Sequence, residues 1–120
     1  MENPVILIVN ANRSELETIV KELEQEGYVT IGASNLEEMD SAIGAQKNIK
    51  LALLDLTGFD KSVHEPCDQL HEARIPFIAI APQRSPSIQR DSMKHGANGL
   101  LIKPLATKEL IEHIHAALGD

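Results

Sequence analysis

The 120 residues predict a doubly wound α/β domain: one five-stranded parallel sheet with helices on both faces. Two observations carry that expectation. Five short apolar runs recur at even intervals, at Val5–Val9, 28–33, 51–56, Phe77–Ala81 and Gly99–Ile102. Stretches of helical period separate them, and right-handed crossovers then cover both faces of the sheet with helices.

The elements follow in order. The run "VILIV" is unbroken apolar sequence, as a strand buried on both faces requires, and the third and fourth runs share this character. A first helix is expected from Ser14, which forms a capping-box spacing with Glu17. Leu16, Ile19, Val20 and Leu23 give it an i, i+3, i+4, i+7 stripe, and Gly27 follows as its terminating glycine. Ser34 and Glu37 repeat the box before a second stripe, Leu36, Met39 and Ile43. Ser62 and Glu65 repeat it again before residues 63–74, where Val63, Cys67 and Leu70 make the stripe and Pro66 falls in or just past the first turn. Ser85-Pro86 reads as a cap followed by proline at the first helical position, and Gly96 closes that fourth helix. Leu110, Ile111, Ile114 and Leu118 define the last.

Composition narrows the function. A chain of this length builds one core, so residues 1–120 are read as a single domain. With 42% hydrophobic and 24% charged residues it has the balance of a soluble globular protein. No apolar run approaches a membrane span, and residues 1–20 show no signal-peptide pattern. The lone Cys67 excludes an internal disulfide and fits a reducing cytoplasm. A net charge of −7 argues against direct nucleic-acid binding, which needs clustered Lys and Arg. One Tyr, two Phe and no Trp leave few platforms for stacking bases or flavins.

In a parallel sheet the ligand crevice lies beyond the carboxyl ends of the strands. The candidates are therefore Asn10-Ala11-Asn12, Asp55, Ala81-Pro82 and Lys103-Pro104. The first corner carries neither charge nor glycine, so "NANRSE" is no dinucleotide fingerprint. There is no P-loop pattern, no Ser/Thr-rich flavin loop, and "DKSVHEP" lacks the D-x-H-x-x-G of a cobalamin site. His64, Cys67 and His71 have a spacing that a helix could turn to one side. Cys67 falls on the core stripe, however, so flanking solvent histidines are expected rather than a zinc site. His113 and His115 read as surface residues near a helix end.

Three stretches in combination, "LALLDL", "ARIPFIAIA" and "HGANGLLIKPL", make the whole chain resemble the CheY-like receiver domains of two-component response regulators. The resemblance implies a flavodoxin-like (βα)5 fold with strand order 2-1-3-4-5. It also implies that Asp55 stands at the phosphoacceptor position, Lys103 at the pocket lysine, and Lys103-Pro104 at the family's cis peptide. The remaining pocket positions depart from the family. The metal-binding acids fall on Asn10 and Ala11, the phosphoryl-binding hydroxyl on Ala81, and the following backbone N–H on Pro82, which has none. The aromatic switch position falls on Leu100.

One carboxylate facing one lysine sums to zero charge, a poor lure for Mg²⁺, so no metal or other cofactor is expected. The expected function is that of a degenerate receiver, non-enzymatic and cytoplasmic, that binds a protein partner independently of phosphorylation. The partner would be a histidine kinase, a phosphotransfer protein or an output domain, and the face of the fourth helix, fifth strand and fifth helix offers a route to a homodimer. The alternative is a working receiver phosphorylated on Asp55 by a histidine kinase, with Mg²⁺.

Overall fold

The computed structural model describes residues 4–46, 48–57, 59, 64–82 and 86–119. Its strands are β1 (Val5–Val9), β2 (Val29–Ala33), β3 (Ile49–Asp55), β4 (Phe77–Ala81) and β5 (Gly99–Ile102). Its helices are α1 (Arg13–Gln25), α2 (Leu36–Ala45), α3 (His64–Glu72), α4 (Pro86–Lys94) and α5 (Thr107–Leu118). All strand pairs are parallel, in the order β2-β1-β3-β4-β5. The doubly wound sheet and its 2-1-3-4-5 order are thus as expected.

The apolar runs explain the layering. Every residue of β1 and β4, and all of β3 except Lys50, is buried. Alternate side chains feed two cores. Leu7, Val9, Leu54 and Phe77 pack with Met39 of α2 and Cys67 and Leu70 of α3, and Ile88 of α4 packs partly against them. Ile6, Ile8, Leu53 and Ile80 pack with Leu16 and Leu23 of α1 and Leu110 and Ile114 of α5. Two helices therefore cover one face and three the other. Cys67 is wholly buried while His64 and His71 are exposed, as the core-stripe reading requires. Among the described residues no helix is long and apolar enough to cross a membrane.

The element ends need correction. β2 starts at Val29 rather than 28, and β3 runs from Ile49 to Asp55 rather than over 51–56. The serines Ser14 and Ser34 are not caps. Asn12 caps α1, accepting the Glu15 N–H at 3.1 Å, and Asn35 caps α2, accepting the Glu38 N–H at 2.8 Å. Asparagine is at least as good a cap as serine, and in each case it lies within two residues of the serine in the sequence. Glu38, not Glu37, reaches back: its carboxylate accepts from the Ser34 N–H at 2.7 Å and the Ser34 hydroxyl at 2.9 Å. The expected caps Ser62 and Ser85, and the stripe residue Val63, lie outside the described residues.

His115 also departs from expectation. It is half-buried against Tyr28, whose hydroxyl lies 2.8 Å from its Nδ1, which ties α5 to the start of β2. Gly27 and Gly96 do occupy the left-handed region after α1 and α4, at φ 92° and 106°. At Gly96 a Cβ would sit 2.8 Å from the His71 ring, so glycine is required for packing as well as for conformation.

Candidate functional site

The carboxyl edge of the sheet brings the candidate residues together. Parallel pairing sets Asp55 beside Ile80, and Ala81 beside Ile102. The Lys103 N–H then donates to the Ala81 carbonyl at 2.9 Å, which carries the lysine to the mouth of the pocket. The Lys103-Pro104 bond is cis, matching the family expectation.

Asp55 is only 3% exposed, and its carboxylate has three protein donors. Lys103 Nζ lies 2.7 Å from Oδ2, the Asn10 side-chain amide donates to the same oxygen at 3.3 Å, and the Thr57 N–H donates to Oδ1 at 2.9 Å. A buried carboxylate is tolerable only when paired and hydrogen-bonded, and this one is both. Asn10 is itself buried, and its side-chain oxygen accepts the Asn12 N–H at 2.9 Å, an Asx turn that shapes the corner. A second carboxylate at that position would repel Asp55, whereas the amide donates to it. The uncharged corner is thus fitted to a pocket whose cation is Lys103.

The expected zero charge balance needs amending. Glu15, in the first turn of α1, places a carboxylate oxygen 3.6 Å from Lys103 Nζ, and its side chain is half exposed. Two carboxylates therefore face one ammonium, one of them deep and one at the rim. Sequence reasoning missed Glu15 because it belongs to no pocket position of the family. In the structure Glu15 is the third helical residue after the Asn12 cap, and its N–H donates to the Asn12 side chain at 3.1 Å. Burial pulls the Lys103 pKa down, but the hydrogen bond and charge of Asp55, then those of Glu15, outweigh it and leave the pKa raised. The ammonium is held in its charged form.

Ala81 is fully buried and Ala11 exposed, and neither has a side chain that can bind a phosphoryl oxygen. Pro82 contributes its carbonyl, which accepts from the Gln89 side chain at 3.2 Å. Leu100 is half-buried against the core that α2, α3 and α4 cover. Beyond it on the same strand face Ile102 is 42% exposed, and Met93 of α4 is 47% exposed. Among the described residues no group of three or more His, Cys, Asp or Glu side chains is arranged to hold a metal ion.

No family model matches the chain. It is 31% identical over 120 residues to the transcriptional regulatory protein YvrH of Bacillus subtilis, covering 98% of this chain and 50% of that protein. It is 33% identical over 121 residues to the uncharacterized transcriptional regulatory protein YkoG of the same organism, covering 98% and 52%. The chain thus spans about half the length of the curated relatives it matches. Among solved structures, a CheY-like response regulator receiver domain protein from Methanospirillum hungatei superposes with a TM-score of 0.85 at 26% identity, covering 98% of this chain and 95% of that one. The same strand order, the Asp55–Lys103 pair and these likenesses over nearly the whole length lead to one assignment: the chain is a CheY-like receiver domain of the response-regulator family.

Proposed function

We propose that this receiver works as a protein-binding module whose output does not depend on a phosphoryl group. One observation carries the reading: protein groups engage both Asp55 oxygens, Lys103 Nζ at 2.7 Å and the Asn10 amide on Oδ2 and the Thr57 N–H on Oδ1. Mg²⁺ is small and sheds its water reluctantly, and it normally takes one or two carboxylates together with phosphate oxygens. The residues present do not fit it. Asn10 and Ala11 supply no carboxylate at the family's metal corner, and both Asp55 oxygens are already engaged. Ala81 and Pro82 likewise offer a phosphoryl group neither a hydroxyl nor an N–H. With Leu100 at the switch position, a phosphoryl group has no differential contact with which to shift a population.

Receiver domains act by docking on kinases and output partners. The exposed Met93 and Ile102 support the α4–β5–α5 face as the docking or dimer surface here. The net charge of −7 favours a protein partner over direct contact with nucleic acid. In a longer protein of the YvrH kind, the regulated output would lie in the other half of the chain.

The second reading, a receiver phosphorylated on Asp55, draws support from the retained Asp55–Lys103 pair and from the extra carboxylate of Glu15. Incubation with acetyl phosphate and Mg²⁺, followed by intact-mass measurement, separates the two. The proposal expects no adduct on Asp55 under conditions that label a receiver with both metal-binding acids. Stoichiometric, Mg²⁺-dependent labelling that Asp55→Asn abolishes would establish the second reading instead.

A further inference from the structure

The Asp55 pocket opens into a cavity of about 700 Å³ between α1 and the segment joining β5 to α5, and Asp55, Thr57 and Pro82 are themselves part of its lining. Its size is that of a small-molecule site, and its walls are largely apolar: Ile19 of α1, Leu105 and Leu110 opposite, and Ile80 on the floor. At one end stand Glu15 and Lys103, and the hydroxyls of Ser14, Thr18 and Thr107 line the rim.

The charges select the occupant. The Lys103 ammonium is committed to Asp55 at 2.7 Å, with Glu15 further off at 3.6 Å, so among the described residues the charge left over at this end is that of the half-exposed Glu15 carboxylate. The surrounding field has the same sign. Residues 1–40 hold nine Asp and Glu against two Lys and Arg, whereas residues 41–120 hold nine of each, so the whole net charge of −7 resides in the third of the chain that contains α1. Arg13 does not offset it locally, because its guanidinium is paired with Glu38 at 3.2 Å. An anionic head group would meet Glu15 and find Lys103 already taken. A protonated amine would meet Glu15 and hydroxyl oxygens able to accept its hydrogens.

We propose that this cavity binds a small amphipathic amine, its ammonium on Glu15 and its apolar body between Ile19, Leu105 and Leu110. The consequence for signalling rests on the phosphorylation-independent reading above, since such a ligand would be an input other than phosphate. Binding itself does not rest on it, and it is measured without any phosphodonor.

The test is an amide NMR titration of the intact chain with n-hexylammonium, hexanoate and 1-hexanol. Saturable shifts are expected at Glu15, Thr18, Ile19, Leu105 and Leu110, with a dissociation constant near or below about 1 mM for hexylammonium. Hexanoate should bind at least about tenfold more weakly, as reversing the sign of the head group against one exposed carboxylate predicts. Shortening the probe to n-butylammonium should weaken it by up to about fourfold per methylene removed. Glu15→Gln should cost hexylammonium about fivefold and leave hexanol unchanged. Thr18→Phe, on the exposed side of α1, should fill the cavity and abolish binding of all three while the fold persists by circular dichroism. Hexanoate binding as tightly as hexylammonium, shifts centred elsewhere, or no saturation up to about 10 mM would each overturn the proposal.

Discussion

Replacing Lys103 by methionine removes the ammonium and keeps the length of the side chain, so it isolates the charge that Asp55 relies on. At the observed 2.7 Å, the Coulomb attraction is roughly 6 kcal/mol at an effective dielectric near 20. Much of this is offset by the desolvation of both groups. Removing one partner of a buried pair costs about 3–5 kcal/mol, and the lower end applies because the Lys103 side chain is 29% exposed. Lys103→Met should therefore lose about 3 kcal/mol, a large share of the stability of an ordinary domain. Asp55→Asn should lose less, about 1–1.5 kcal/mol, because the new amide oxygen can still accept the Thr57 N–H and Lys103 can turn to Glu15 and water. The double variant should lose less than the two single losses combined, by about 1.5–2 kcal/mol of coupling. Urea denaturation of the four proteins at neutral pH measures each quantity, provided the slopes agree. Losses that add to within about 0.5 kcal/mol would refute the view of Lys103 as the cation of the pocket. The alkaline limb gives a second check on the same coordinates. A raised lysine pKa means that its contribution is complete below the ordinary value of 10.5 and is lost as pH rises through the folded value. Wild type should lose stability there more steeply than Lys103→Met.

Three other outcomes follow from local structure. Arg74 closes α3 at φ 60°, in a Schellman arrangement in which its N–H donates to His71 and the Ile75 N–H to Leu70, so Arg74→Gly should raise stability by about 0.5–1 kcal/mol in urea denaturation. Burial, with a smaller contribution from Asp68, pushes the Cys67 thiol up to about 12, so a disulfide reagent at neutral pH should modify the chain only as fast as it unfolds. The backbone N–H of Ser34, then its hydroxyl and Arg13, hold the Glu38 carboxyl below its usual value; the stability this confers is present above about pH 4.5 and lost as pH falls through the folded value. Glu38→Gln should flatten that part of the acid limb, as read from the urea midpoint against pH.

The sheet was legible because burial on both faces leaves a mark that needs no partner to interpret. "VILIV" and "FIAIA" have no polar position, and both are buried throughout. The helix starts were legible only to within one or two residues, because Asn12 and Asn35 compete with Ser14 and Ser34 and both residue types cap well. Glu15, the third residue after the Asn12 cap, lies against Lys103, and the charge reckoned from Asp55 and Lys103 alone is incomplete. The pocket residues that a family pattern can name are those whose chemistry is fixed by strand ends, such as Asp55, Ala81 and Lys103, because parallel pairing leaves no freedom in where they point. Glu15 and Thr57 come from a helix turn and a loop, where one residue of register decides whether a side chain or N–H reaches the site. The departures from the family pattern are therefore readable in sequence, since they concern strand-end residues. What the sequence pattern leaves out lies in those local turns, and its largest element is one glutamate that takes the charge at the mouth of the cavity from zero to net negative.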